Sequence, residues 1–96
     1  MDAPLSIGRL QASGVLETPR RLNVEDYYDF PWTWTADSRT VFFTRNGKTR
    51  SGTSIFKQGL ESEVPELIVP LNRWAQAVNM SPDGKSLLFL SWTGLA

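Results

Sequence analysis

Asp37 and Asp83 are the first side chains to test for chemistry, because each sits in the same kind of surroundings: Thr35-Ala36-Asp37-Ser38-Arg39 and Ser81-Pro82-Asp83-Gly84-Lys85. Two carboxylates do general acid–base work only when they converge on one site, and these two stand in separate turns. The structural reading is that each bonds the backbone of its own turn. Glu25, Asp26 and Asp29 form the only local acidic cluster. Their spacing lacks the alternating ligands and the glycine of a calcium loop, so no bound metal is expected. The basic loop from Arg45 to Arg50 carries Arg45, Lys48 and Arg50 around Asn46-Gly47. Such a loop can grip phosphate through backbone amides and side chains. It lacks the glycine spacing and the Lys-Ser/Thr ending of a P-loop, however, and reads as a solvated surface loop. Trp32, Trp34, Trp74 and Trp92 can each stack a sugar, a base or a peptide. At strand positions Trp32 and Trp34 are expected in the core, whereas Trp74, beside Arg73, is the better exposed candidate.

Histidine and cysteine are both absent. That removes Ser-His-Asp and Cys-His nucleophilic sites, the usual zinc sites and disulfides. With no nucleophile beside a base, the chain reads as non-enzymatic and without a cofactor. Ten basic and ten acidic residues cancel, so the basic face that attracts nucleic acid or anionic membrane is not expected. No run reaches the roughly 18 apolar residues of a membrane span. Met1-Asp2-Ala3-Pro4 lacks the basic start and apolar core of a signal peptide. The expectation is a cytoplasmic chain as it stands, or a piece of a longer protein that can be periplasmic.

These residues need elements to hold them. At 96 residues, with 41% hydrophobic and 11% aromatic content, the chain supports one small β-rich domain. Leu5 to Leu10 alternates apolar with small or polar residues, as a half-buried strand does. Gln11-Ala12-Ser13-Gly14 reads as a turn, and Arg20 to Val24 as a short strand near an edge. Phe30-Pro31-Trp32-Thr33-Trp34-Thr35 alternates again, which puts Phe30, Trp32 and Trp34 on one face; Pro31 assigns this strand to an edge or places itself at a strand start. Ala36 to Arg39 forms a hairpin turn and Thr40 to Thr44 the returning strand. Asn46 to Gly52 is loop, Ser54 to Gln58 a strand, and Glu66 to Val69 another, fenced by Pro65 and Pro70. Trp74 to Met80 has some helix propensity but stands before its turn as Phe30 to Trp34 stands before the other. It is therefore assigned to strand. Leu87 to Leu90 closes the series as an apolar run after Pro82-Asp83-Gly84. No helix cap with a sustained 3.6-residue period occurs, so the chain reads as all-β.

The two turns lie at an offset of 46 residues, Asp37 against Asp83. At that offset Val41-Phe42-Phe43 aligns with Leu87-Leu88-Phe89. Four short strands per unit of about 40–50 residues is the signature of a propeller blade. Ser81-Pro82-Asp83-Gly84-Lys85, its following Leu87-Leu88-Phe89, the Ile55-Phe56 strand and Leu67-Ile68-Val69 resemble the WD40-like PD40 repeats of TolB-type β-propellers. The resemblance covers most of the chain: residues 1–29 as strands three and four of one blade plus a connection, 30–70 as a complete blade, and 71–96 as strands one and two of the next. Ala36 and Ser38 depart from the family's Pro and Gly, which implies a less tightly specified first turn. Face-to-face blade packing covers inner strands on both sides, so Val41 to Phe43 and Leu87 to Leu90 are expected to be buried throughout.

The resemblance also implies where function would lie. In such a propeller the loop entering strand one and the loop leaving strand two open on the same face. That gathers Tyr27, Tyr28, Asp29, Arg45, Asn46, Lys48, Arg73 and Trp74 on one rim, and Tyr, Trp and Arg are the residue types enriched at binding hot spots. The expected function is a protein-interaction or ligand-sensing scaffold with a protein or peptide partner. The alternatives are the substrate-gating propeller of a larger serine peptidase, or the sensory C-terminal part of a winged-helix regulator or protein kinase. Propellers have about four to eight blades, more than this chain supplies. The chain is therefore expected to be a fragment, a truncated gene product, or a subunit that completes its ring as a homo-oligomer, one copy's C-terminal half-blade pairing with another's N-terminal half-blade.

Overall fold

A computed structural model describes residues 5–23, 25, 27–46, 53–70 and 74–92. Two tight turns set the hairpins. In the first, the Asp37 carboxylate accepts from the Thr35 hydroxyl at 2.5 Å and the Arg39 amide at 3.0 Å. In the second, Asp83 accepts from the Ser81 hydroxyl at 2.6 Å and the Lys85 amide at 3.0 Å. The backbone bonds also correspond: Ser38 N to Thr35 O and Gly84 N to Ser81 O are both 2.9 Å, as are Thr35 N to Thr40 O and Ser81 N to Ser86 O. Asp37 and Asp83 are thus turn-forming groups, each held below the ordinary carboxylate value, first by its hydroxyl neighbour and then by a backbone amide. A lowered folded-state pKa supplies stability above the unfolded value and loses it as pH falls through the folded one. Urea midpoints are therefore expected to drop as pH falls through and below the unfolded aspartate value of about 4. Asp37→Asn and Asp83→Asn should flatten that slope.

The first turn is as fully bonded as the second, although its left-handed position is filled by Ser38 at φ 61° and the second by Gly84 at φ 74°. A side chain in this region costs roughly 1–2 kcal/mol, offset by roughly 0.5–1 kcal/mol of glycine entropy. Ser38→Gly is expected to raise unfolding free energy by about 0.5–1 kcal/mol, and Gly84→Ala to lower it by about as much. At Gly84 the new Cβ would meet only the Met80 sulfur, 4.0 Å away. That loss would be conformational rather than steric, and chemical denaturation of both variants measures it.

The turns connect eight strands: β1 (Ser6–Ile7), β2 (Arg20–Arg21), β3 (Tyr28–Trp34), β4 (Thr40–Asn46), β5 (Thr53–Gly59), β6 (Glu66–Val69), β7 (Trp74–Met80) and β8 (Leu87–Trp92). All pairings are antiparallel. They make a four-stranded sheet in the order β3-β4-β5-β6, flanked by the two-stranded β1-β2 and β7-β8, and none of these sheets closes on itself. Among the described residues there is no helix, and none long and apolar enough to cross a membrane. Trp74–Met80 is strand, as its place before the second turn predicts. Pro31 lies in β3, an edge strand, as a residue without an N–H requires.

The central sheet is covered on both faces. Val41 and Phe43 on one face cluster with Leu5 and Leu22, with Ile7, Phe56 and Leu60 packed alongside. Phe42 and Ile55 on the other face cluster with Val78, joined by Trp32, Met80, Leu87 and Phe89. Five consecutive residues of β4, Val41 to Arg45, are consequently buried, which is why this strand reads as a continuous apolar run. Gln58 ties the N-terminal segment down: its amide N donates to Leu22 O at 2.6 Å and Ser62 O at 2.8 Å, while its oxygen accepts from Asn23 at 3.0 Å.

Two expectations from the sequence are corrected here. Phe30, Trp32 and Trp34 do not share a face. Trp32 is an extra residue between Pro31, opposite Phe43, and Thr33, opposite Phe42. This bulge turns Trp34 to the side of its partner Val41, where it is 50% exposed. Leu87 to Leu90 is not buried throughout either: Leu87 and Phe89 face the central sheet, but Leu88 is 77% and Leu90 55% exposed. An apolar run records what the strand can bury; among the described residues nothing lies on that outer side.

Candidate functional site

The register of β3 and β4 decides the site. Trp34 pairs with Val41 and Thr33 with Phe42, and continuing that register would set Arg45 opposite Phe30. The bulge at Trp32 advances it by one, so Asp29 lies opposite Arg45 and Tyr28 opposite Asn46. Cross-strand partners share a face, and the Arg45 guanidinium reaches both carboxylate oxygens of Asp29. Nε to Oδ1 is 2.8 Å and Nη2 to Oδ2 is 2.9 Å. Its Nη1 donates to Glu25 Oε1 at 3.1 Å. The guanidinium carbon lies 4.3 Å from the Tyr27 ring centre, 4.9 Å from Phe56 and 5.5 Å from Phe43. Arg45 and Asp29 are each only 5% exposed.

Electrostatics hold this group charged. Burial opposes the Arg45 charge, but the hydrogen bonds and attraction to Asp29, followed by those to Glu25, outweigh it and raise the guanidinium above its ordinary value. The bidentate fork is the geometry arginine is suited to. Its task here is to join β3, β4 and the Glu25 segment at one end of the sheet.

That end carries most of the side chains singled out from the sequence. Tyr27, Tyr28, Asp29, Arg45 and Asn46 come together through the register just described. Trp74 joins them because the next residue, Ala75, donates its amide to Thr53 Oγ1 at 2.9 Å, and Thr53 pairs with Asn46. Lys48 and Arg73 lie outside the described residues. The six do not present one surface. Asp29 and Arg45 are buried in their pair, with Tyr27 against the guanidinium. Tyr28 is on the opposite face, its ring 5.2 Å from Phe30, which stands 6.0 Å from Trp32. Trp74 opens β7 opposite Trp92, and both are half-buried.

Glu25, Tyr27, Arg45, Ser54, Phe56, Val64 and Pro65 border an open recess of about 390 Å³. The sequence did not point to Phe56, Val64 or Pro65, because they meet Tyr27 only through the pairing of β4 with β5 and the turn after Gly59. The Arg45–Glu25 ion pair lies on one side of it, with Tyr27, Phe56, Val64 and Pro65 as aromatic and apolar walls. Among the described residues no three acidic side chains converge as metal ligands, and no buried side-chain nitrogen or oxygen lacks a hydrogen-bond partner. Compared with known proteins, the chain matches no family model, no curated protein and no solved structure.

Proposed function

We propose that the chain is part of a TolB-like β-propeller built of PD40-like blades, and that it works as a non-enzymatic scaffold binding a protein or peptide at the end that carries Tyr27, Tyr28 and Trp74. The observation that supports this most is the four-stranded antiparallel sheet β3-β4-β5-β6, packed face to face between two further strand layers. Blades stack in this way. The matched turns at Asp37 and Asp83 support a repeated unit, and so do the pairings of β3-β4 and β7-β8. Trp34 with Val41, Phe30 with Thr44 and Tyr28 with Asn46 correspond, 46 residues on, to Met80 with Leu87, Gln76 with Leu90 and Trp74 with Trp92.

The aromatic residues at this end and the recess beside Arg45 supply the contact types found at interface hot spots. The test is to select random peptides displayed on phage against the immobilised chain and titrate those enriched. Binding that weakens at least about tenfold in Tyr27→Ala or Trp74→Ala, with the β circular-dichroism spectrum kept, supports the reading. No enrichment, or peptides indifferent to both substitutions, overturns it.

A further inference from the structure

Two apolar surfaces lie at opposite sides of the stack. On one side, β8 turns Leu88 and Leu90 outward, and their cross-strand partners Asn79 and Gln76 are exposed and uncharged. On the other, β1-β2 covers the central sheet over β4 and β5 but leaves a groove of about 240 Å³ over β3. Leu5, Ile7, Leu22, Trp34 and Val41 line it, and no charged side chain among the described residues borders it.

The structure points to the occupant of the groove. β7-β8 corresponds to β3-β4 in turn, register and bulge, and Leu88 and Leu90 stand where Phe42 and Thr44 stand. Phe42 and Thr44 are buried, because the face they form is packed by the next layer. Leu88 and Leu90 belong to the same face of the corresponding hairpin. In the central sheet, moreover, the strand equivalent to β8 continues into a third strand, whereas among the described residues β8 pairs only with β7. Among the described residues β1, correspondingly, pairs only with β2, and it borders the groove.

We infer that a second copy lays its β7-β8 hairpin into this groove, with Leu88 and Leu90 against Trp34 and Val41 and the β8 edge beside β1. The contact continues the stacking already present within one chain. It is heterologous, since the two surfaces differ, so successive copies form a ring or an open filament. The inference rests on the stacked-blade reading but not on peptide binding: loss of phage-peptide binding leaves the mass in solution unchanged, and a monomer can still bind peptide.

Sedimentation equilibrium of the full chain from about 1 to 100 μM tests it. The expected result is a mass that rises with concentration beyond that of one chain. Leu88→Asp with Leu90→Asp, and separately Trp34→Glu, should each weaken self-association at least about tenfold while the β spectrum persists. Mixed together, these two variants should form a one-to-one heterodimer and nothing larger, because one retains the groove and the other the hairpin face. A folded wild-type monomer throughout the range overturns the inference, as does association indifferent to both variants or a mixture that stays monomeric. If the double aspartate chain loses its β spectrum, Leu88→Thr with Leu90→Thr replaces it, and unchanged association in that chain is equally fatal.

Discussion

Arg45→Met is expected to lower the unfolding free energy by about 3–5 kcal/mol, because it leaves the Asp29 carboxylate buried without its counter-ion. Small domains are stable by roughly 5–15 kcal/mol in all, so this single change brings the chain near its unfolding threshold. Asp29→Asn should cost less, since the amide oxygen can still accept from the guanidinium. The double substitution Arg45→Met, Asp29→Leu should recover much of the loss, since apolar residues of similar volume often replace a buried pair without penalty. Urea unfolding of the three variants measures the effects. A loss below about 1 kcal/mol in Arg45→Met would mean that water reaches the pair and that it behaves as a surface salt bridge.

Phe43→Ala is the second large effect, at about 3–5 kcal/mol. Phe43 is fully buried and lies 5.7 Å from Phe56, with Leu5, Leu22 and Val41 completing the cluster. Its removal opens a cavity where the central sheet meets the N-terminal segment, so both layers lose packing. Leu88→Ala is the control: at 77% exposed it should fall within about 0.5 kcal/mol of the parent, as surface changes do. The contrast matters because Phe43 and Leu88 occupy similar apolar runs in the sequence and differ only in what covers them.

That contrast marks how far the sequence could be read. The strands were legible where local chemistry punctuates them: Pro65 and Pro70 around Glu66–Val69, the Asp83-Gly84 turn before Leu87, and Gly14, whose φ of 89° closes the turn begun at Gln11. The burial of β4 was legible because covering a strand on both faces demands consecutive apolar residues. The bulge was not. An extra residue changes no local propensity, and Pro31 signals only an edge strand or a strand start. Everything downstream of the bulge was therefore hidden, including the side on which Trp34 lies and the pairing of Asp29 with Arg45. The same holds for Asn23 and Gln58, two polar residues 35 positions apart whose burial depends on one segment lying over another.

The layered arrangement has a consequence for how the molecule breathes. Amides of β4 lie between two paired strands and beneath packing on both sides, so their hydrogens should trade with solvent only when the whole molecule opens. β1-β2 is a ribbon of two residues per strand, and among the described residues β7-β8 is held from one side only. Both can lift away at far smaller cost. The outer layers should therefore exchange their amide hydrogens well before the middle sheet does.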